Sequence, residues 1–370
     1  MFRKLKNTML ILFILIAVIA LSGYVYMQQP QFGKNPAEIR LERIRTSPHY
    51  KNGAFQNEHF TPDLAEGVTY FDILKLYIPK VENKEPSKTL PSVKTDLKNL
   101  SSDKPVVVWF GHSSYFMHID GKNILVDPVF SGNASPISFF GANYNGSNVY
   151  SIDDFPELDL LIITHDHYDH LDYETVKKLQ PKVKRVITSL GVGSHLAHWG
   201  YDESQITELD WWEKTALDST FDITAAPARH FSGRGFKRMQ TFWSSFILKT
   251  PQHSIYVGGD SGYDTHFKEI GEKYGPFDLA ILECGQYNDY WKYIHLMPEE
   301  TAQAAVELRA KLLLPVHWSK FTLALHPWNE SIERVTKKAK ALNQPITTPM
   351  IGEKVEIGSG EYPVKEWWNY

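Results

Sequence analysis

At 370 residues, with 42% hydrophobic and 22% charged residues and a net charge of −4, the chain is long enough to bury one large core or two small ones. No block of five like charges occurs, so the balance excludes a general electrostatic attraction to nucleic acid. The single cysteine, Cys284, excludes an internal disulfide, and its place after the apolar run Leu279-Ala280-Ile281-Leu282 favours a structural thiol.

Arg3, Lys4 and Lys6 precede an uncharged run from about Met9 to Met27 that is long enough to cross a bilayer. The basic flank is expected to stay in the cytoplasm, which places the rest of the chain outside it. The segment 1–27 therefore reads as a signal-anchor. Cleavage near Ala20-Leu21-Ser22 is the alternative and would release a secreted or periplasmic protein.

Residues 28–100 are rich in Pro, Lys, Asn and Ser, with helical patterns at Ala37–Thr46 and Leu64–Tyr77. They read as an extension packed on the core, with no candidate for chemistry. The remainder, 101–370, reads as one domain. Short strands are expected at Val106–Phe110, Tyr115–Ile119 and Asn123–Asp127, the last two joined at Asp120-Gly121. Further strands are expected at Leu160–Ile163, Val183–Thr188, Phe221–Ala226, Phe242–Lys249, His253–Val257, Leu279–Leu282 and Leu312–Val316. Helices are expected at Tyr173–Gln180, Val192–Trp199, Pro298–Arg309 and Ser331–Ala341. Two β-rich halves with helices outside them predict an α/β fold, a four-layer αβ/βα sandwich.

The chemistry concentrates after Leu160-Leu161-Ile162-Ile163, where a buried strand ends in Thr164-His165-Asp166-His167-Tyr168-Asp169-His170-Leu171-Asp172. His165 and His167 are two apart, so an extended backbone points both rings to one face, while Asp172 is placed to cap the following helix. Imidazole and carboxylate together suit zinc, with iron or manganese as alternatives. Three later strands also end in residues suited to a metal, namely His230, Asp260 and His317. If those ends meet at one sheet edge, five His and two Asp converge, enough for two ions. His112 and His295 are expected either to support these ligands or to serve the fold. The aromatic group Tyr287, Tyr290, Trp291, Tyr293 and Phe321 suits a core as well as a pocket.

The order His165-x-His167-x-Asp169-His170, His230, Asp260 after Gly258-Gly259, and His317 resembles the metallo-β-lactamase superfamily. That resemblance implies the αβ/βα fold. It also implies one ion on His165, His167 and His230, a second on Asp169, His170 and His317, and Asp260 bridging both. Flavodiiron members typically carry Glu at the position of His167, so the resemblance is to the hydrolases. Ser47–Asn57, Gly111-His112-Ser113-Ser114, Pro227–Arg234, Gly259–Tyr263 and Pro298-Glu299-Glu300 further resemble the phospholipases D that hydrolyse N-acyl-phosphatidylethanolamine, over about residues 40–350. Lys237-Arg238-Met239-Gln240 departs from the Asp-Arg-Asn run often found there in that family.

Two zinc ions are expected, with iron or manganese as alternatives, together with catalytic roles for Asp169, Asp260 and His295 and substrate contacts from Arg234, His112 and Tyr287, with Lys237 or Arg238 as further candidates for a phosphate. The implied partners are a phospholipid or another small-molecule ester, the membrane through the N-terminal segment, and a second copy of the chain if it forms a homodimer. A dimetal lactonase is the alternative activity, and a non-catalytic metal-binding surface protein the alternative class.

Overall fold

The computed structural model describes residues 2–76, 78–79, 81–100, 104–137 and 139–369. The boundary expected at 101 and the helix end expected at Tyr77 lie outside the described residues. The chain opens with α1 (Phe2–Tyr26), a helix long and apolar enough to cross a membrane and exposed along its length. Then come α2 (Glu38–Arg45), a small hairpin of β1 (Tyr50–Lys51) and β2 (Ala54–Phe55), and α3 (Tyr70–Leu76).

The first large sheet is built from β3 (Val106–Trp109), β4 (Tyr115–Ile119), β5 (Lys122–Val126), β6 (Leu160–Ile163), β7 (Val186–Ser189) and β8 (Ile206–Leu209). Helices α4 (Tyr173–Leu179) and α5 (Gly193–His198) follow β6 and β7. The second sheet holds β9 (Lys214–Asp218), β10 (Phe221–Ala226), β11 (Ser245–Lys249), β12 (Ser254–Val257), β13 (Leu279–Glu283) and β14 (Leu313–Val316). Helices α6 (His266–Tyr274), α7 (Pro298–Glu307) and α8 (Glu330–Ala341) accompany it, and β15 (Lys354–Glu356) returns to the first sheet. The strand orders are β15-β3-β4-β5-β6-β7-β8 and β14-β13-β12-β11-β10-β9. In each sheet an antiparallel half joins a parallel half, at β5 and β6 in one and at β12 and β13 in the other.

Alternation along β6 explains its unbroken apolar run. Leu160 and Ile162 enter the core between the sheets, where they join Phe246, Ile255 and Leu282. Leu161 and Ile163 enter a second core beneath Val176, Leu179 and Leu196 of α4 and α5. A strand buried on both faces reads as continuous rather than alternating hydrophobicity. Helix, sheet, sheet and helix thus stack as the expected αβ/βα sandwich.

Several elements depart from expectation. The strand expected from Phe242 begins at Ser245, because Phe242 N donates to Leu190 O at 2.7 Å and Ser244 N to Thr164 O at 3.1 Å, tying this segment to loops of the other sheet. The helix expected from Leu64 starts at Tyr70. Asp172 occupies the N-cap position of α4 without capping it: its Oδ2 accepts from Ser131 N at 2.9 Å and from the Thr175 hydroxyl, fastening the loop after β5. The extension is held across the domain by Phe55 N to Met239 O, Ala65 N to Tyr290 O and Val93 N to Ile351 O.

Candidate metal centre

The strands that point the same way deliver polar residues to one edge of the sandwich. His112 follows β3, Asp127 follows β5, the motif follows β6, His230 and Asp260 follow β10 and β12, Glu283 ends β13, and His317 follows β14. Apolar runs fix the strands, and the next residues are the ones that reach the edge. All five motif-type histidines and both aspartates expected at the site are brought together.

They form two groups. Nδ1 of His167 lies 2.9 Å from His165 Nε2 and 3.1 Å from His230 Nε2. Oδ2 of Asp169 lies 3.3 Å from His317 Nε2 and 3.6 Å from His170 Nε2. Between the groups sits Oδ2 of Asp260, at 3.2 Å from Nε2 of both His170 and His317, 3.9 Å from His230 and 4.0 Å from His165.

The supporting hydrogen bonds fix which ring nitrogen faces inward. His230 Nδ1 donates to Ile294 O at 2.7 Å, so Nε2 keeps its lone pair for the centre. His170 Nδ1 is 2.8 Å from Asp127 Oδ2, and the Asp127 carboxylate also accepts from Thr164 N at 2.8 Å and Thr164 Oγ1 at 2.6 Å. Glu283 Oε2 lies 2.8 Å from His295 Nδ1 and 3.3 Å from His317 Nδ1. His112 stands behind Asp169, its Nε2 2.9 Å from Oδ2.

The donor set fits cations. Three nitrogens at about 2.0–2.1 Å from a tetrahedral zinc are roughly 3.3 Å apart, close to the separations among His165, His167 and His230. Nε2 of His170 is buried with no hydrogen-bond partner, an orphan that a metal would satisfy. Burial pulls His165 and His230 well below the ordinary imidazole range and His167 to about 4, which favours the neutral rings that a cation needs. Burial also depresses His170 and His317, but Asp260 and Asp169 outweigh it, lifting His170 well above its usual value and His317 to about 10. Burial likewise opposes ionisation of Asp169 and Asp260, yet His170 and its neighbours hold both well below the carboxylate range.

Over the centre opens a cleft of about 340 Å³. His167, Asp169, His230, Asp260, His295 and His317 form its floor, and Phe231, Trp291, Ile294 and Leu323 much of its wall. The extension, packed on the core, contributes Asp63, Leu64, Tyr70 and Ile73 to the lining, while the expected metal ligands all come from the sandwich.

The three residues expected to contact substrate do not line this cleft. Arg234 is 4% exposed; its Nη1 donates to Asp166 O at 2.7 Å and Leu171 O at 2.8 Å, and its Nη2 to Gln31 O at 2.6 Å. It binds the motif loop, not a ligand. Tyr287 stacks on His326 at 4.4 Å, with its hydroxyl on Glu330 Oε1 at 2.6 Å. His112 is fully buried behind Asp169. The cation at the rim is Arg238, paired with Asp63 at 2.8 Å and lying over the Phe231 ring at 4.0 Å. Sequence reasoning missed Asp127 and Glu283, although each follows the rule that found the others, an apolar strand ending in a polar residue.

This fold and donor set define a metal-dependent hydrolase of the metallo-β-lactamase type. The family described as "Beta-lactamase superfamily domain" matches residues 122–318, more than half the chain, and the chain belongs to that superfamily. An uncharacterized protein of Mycobacterium tuberculosis is 36% identical over 348 residues, covering 91% of this chain and 91% of that protein. The outer membrane protein RomA of Klebsiella pneumoniae is 66% identical over 95 residues, 26% of this chain and 72% of that one. The N-acyl-phosphatidylethanolamine-hydrolyzing phospholipase D 1 of Caenorhabditis elegans is 32% identical over 228 residues, 58% of this chain and 64% of the relative. Among solved structures, a metallo hydrolase of Ignicoccus hospitalis aligns at a TM-score of 0.53 with 20% identity, covering 68% of this chain and 97% of that one. A diiron β-hydroxylase of Streptomyces venezuelae aligns at 0.54 with 18% identity, covering 70% and 55%, so the fold also occurs outside hydrolases.

Proposed function

We propose that this protein is a dimetal phosphodiesterase of phospholipase D type, cleaving N-acyl-phosphatidylethanolamine-like lipids into N-acylethanolamine and phosphatidic acid. The observation that carries this reading is the cleft itself: apolar walls from Leu64, Ile73, Phe231 and Trp291 rise over the His/Asp floor, with Arg238 at the rim. Such a cleft suits a substrate with a charged reacting centre between apolar arms. The similarity to the nematode phospholipase supports it.

His165, His167 and His230 would hold one ion, Asp169, His170 and His317 the other, and Asp260 both; zinc suits this set, with iron or manganese as alternatives. Bound there, the ions supply Lewis acidity that makes water nucleophilic near neutral pH and neutralises charge on phosphoryl oxygens. In the hydrolysis the water oxygen bonds to phosphorus, the bond from phosphorus to the ethanolamine oxygen breaks, and that oxygen takes a proton. His295 is the proposed donor. Its ring lines the cleft, Glu283 holds its Nδ1, and Asp260 Oδ2 is 3.9 Å away. Phe231, Trp291 and Ile294 keep bulk water from the floor, and Arg238 meets the lipid phosphate. We further read α1 as an uncleaved anchor, with the domain on the extracytoplasmic side.

Metal-replete full-length protein incubated with N-acyl-phosphatidylethanolamine, a simple phosphodiester and a lactone panel tests the activity. Release of N-acylethanolamine and phosphatidic acid is expected, with a raised KM in Arg238→Ala. Turnover confined to lactones would overturn the lipid reading.

A further inference from the structure

The end of α1 is not a free tether. Tyr26 donates through its hydroxyl to Pro136 O at 2.8 Å, and its ring meets Phe32 edge-on at 5.5 Å. Phe32 in turn meets Tyr168, inside the metal motif, at 6.2 Å. Trp199 Nε1 donates to Pro30 O at 2.8 Å, Lys34 N to His195 Nδ1 at 3.0 Å, and Arg234 bridges Gln31 O to Asp166 O. A Cβ on Gly33 would sit 2.2 Å from His195 Nδ1, so the backbone lies directly against that ring. The eight residues after α1 are therefore fastened to the loops that carry the metal ligands.

Around this exit stand apolar side chains with no cover. Met27 Cε lies 3.2 Å from where a Cβ on Gly235 would be, and the next residue, Phe236, is 93% exposed. On the other side, beyond Pro136, Phe139 and Phe140 are 78% and 59% exposed, their rings 4.8 Å apart. Phe236 is two residues from Arg238, so their Cα atoms are at most about 7.6 Å apart. Arg238 pairs with Asp63, and Asp63 Oδ2 accepts from the Tyr70 hydroxyl at 3.2 Å. Tyr70 opens α3, where Phe71 and Leu74 are 65% and 66% exposed. Phe236 thus sits in the chain between Gly235, against which Met27 packs, and Arg238 at the rim of the cleft, which links through Asp63 to Tyr70 of α3.

We propose that this strip is a membrane-seating surface: Phe139, Phe140, Phe236 and the exposed face of α3 enter the headgroup region of the bilayer that α1 spans, and the cleft opens onto that leaflet. Contiguous exposed apolar side chains on a folded domain mark an interaction surface, and aromatic residues beside a spanning helix belong at the lipid–water interface. The occupant follows from the anchor, because a helix fixed to the domain at its exit holds its neighbours at membrane depth. The inference rests on reading α1 as a bilayer-spanning anchor.

The test is site-directed nitroxide labelling of the full chain in vesicles of phosphatidylethanolamine and phosphatidylglycerol. Native Cys284 is buried and stays unlabelled. Labels at Phe140→Cys, Phe236→Cys and Leu74→Cys should collide more with oxygen than with an aqueous nickel chelate. Thr220→Cys, in the β9–β10 turn at the strand ends opposite His230, should show the reverse. Ile14→Cys, within α1, separates the two readings. A lipid-exposed Ile14 label with aqueous labels at 140, 236 and 74 would overturn the seating surface and leave the anchor standing. An aqueous Ile14 label would overturn both, and spin–spin broadening between chains at 140 or 236 would assign the surface to a second copy and overturn the bilayer as its occupant.

Discussion

Asp127 and Glu283 do not line the cleft, yet Glu283 holds His295 and His317, which do, and Asp127 holds His170 beside Asp260. Asp127 receives two hydrogen bonds from Thr164 and presents Oδ2 to His170, so β5 and β6 jointly orient one ligand ring. Asp127→Asn keeps the volume and removes the charge. A loss of about 10–100-fold in metal affinity is expected, measured by competition with a chromophoric chelator, in line with other supporting carboxylates. An unchanged affinity would show that Thr164 and packing alone orient the ring. Lys320 gives a separate prediction. Its ammonium is fully buried and donates to Val129 O at 2.8 Å and Phe110 O at 3.2 Å, and burial lowers it to about 7. Between that value and the usual lysine range the unfolded chain holds a proton that the folded chain has lost, so stability rises with pH across this window. The slope attributable to this one group is at most ~1.4 kcal/mol per pH unit. Thermal unfolding at pH 7 and pH 9 should show the rise in the native chain and a flatter response in Lys320→Met. Parallel responses would assign the slope to other groups.

At the scale of elements, what the sequence made legible was the run of apolar residues and what lay at its end. β6, β10, β12 and β14 are largely buried strands followed within four residues by candidate metal ligands, and each was readable because a run of four to six residues rich in β-branched or aromatic side chains is too short for a helix. β9 was not readable: Lys214-Thr215-Ala216-Leu217-Asp218 is a half-exposed edge strand, and charged edges suppress the pattern that marks a strand. α6 escaped because Gly271 sits mid-helix. The structure explains that glycine, since a Cβ there would lie 1.9 Å from Glu307 O on α7. Gly271→Ala should gain ~1 kcal/mol of helix propensity and lose about 1–3 kcal/mol to overpacking, so the clash wins. A lower thermal midpoint is expected; an unchanged or higher one would mean that α6 and α7 slide apart without loss. Arg234 was expected at the substrate, but only the tertiary fold reveals that Asp166, Leu171 and Gln31 offer it backbone carbonyls.

At the scale of the whole molecule, two apolar cores carry the sandwich independently of the metal centre. The larger lies between the sheets, and the second sits beneath α4 and α5. The centre lies on a rim built from strand ends, so its loops can lose a ligand without opening either core. That separation makes metal content a clean readout of the site. The same rim carries the cleft, the extension wraps it with Leu64, Tyr70 and Ile73, and the apolar helix α1 ends beside the loop at Pro136. We propose that Asp260 stands between two cation sites. Elemental analysis of the full chain, alongside Asp169→Ala with its near-ultraviolet circular dichroism checked for a native fold, tests it most directly. Close to two ions per native chain are predicted, falling towards one in the folded Asp169→Ala variant. A single ion in the native chain that persists in Asp169→Ala would contradict the two-site account.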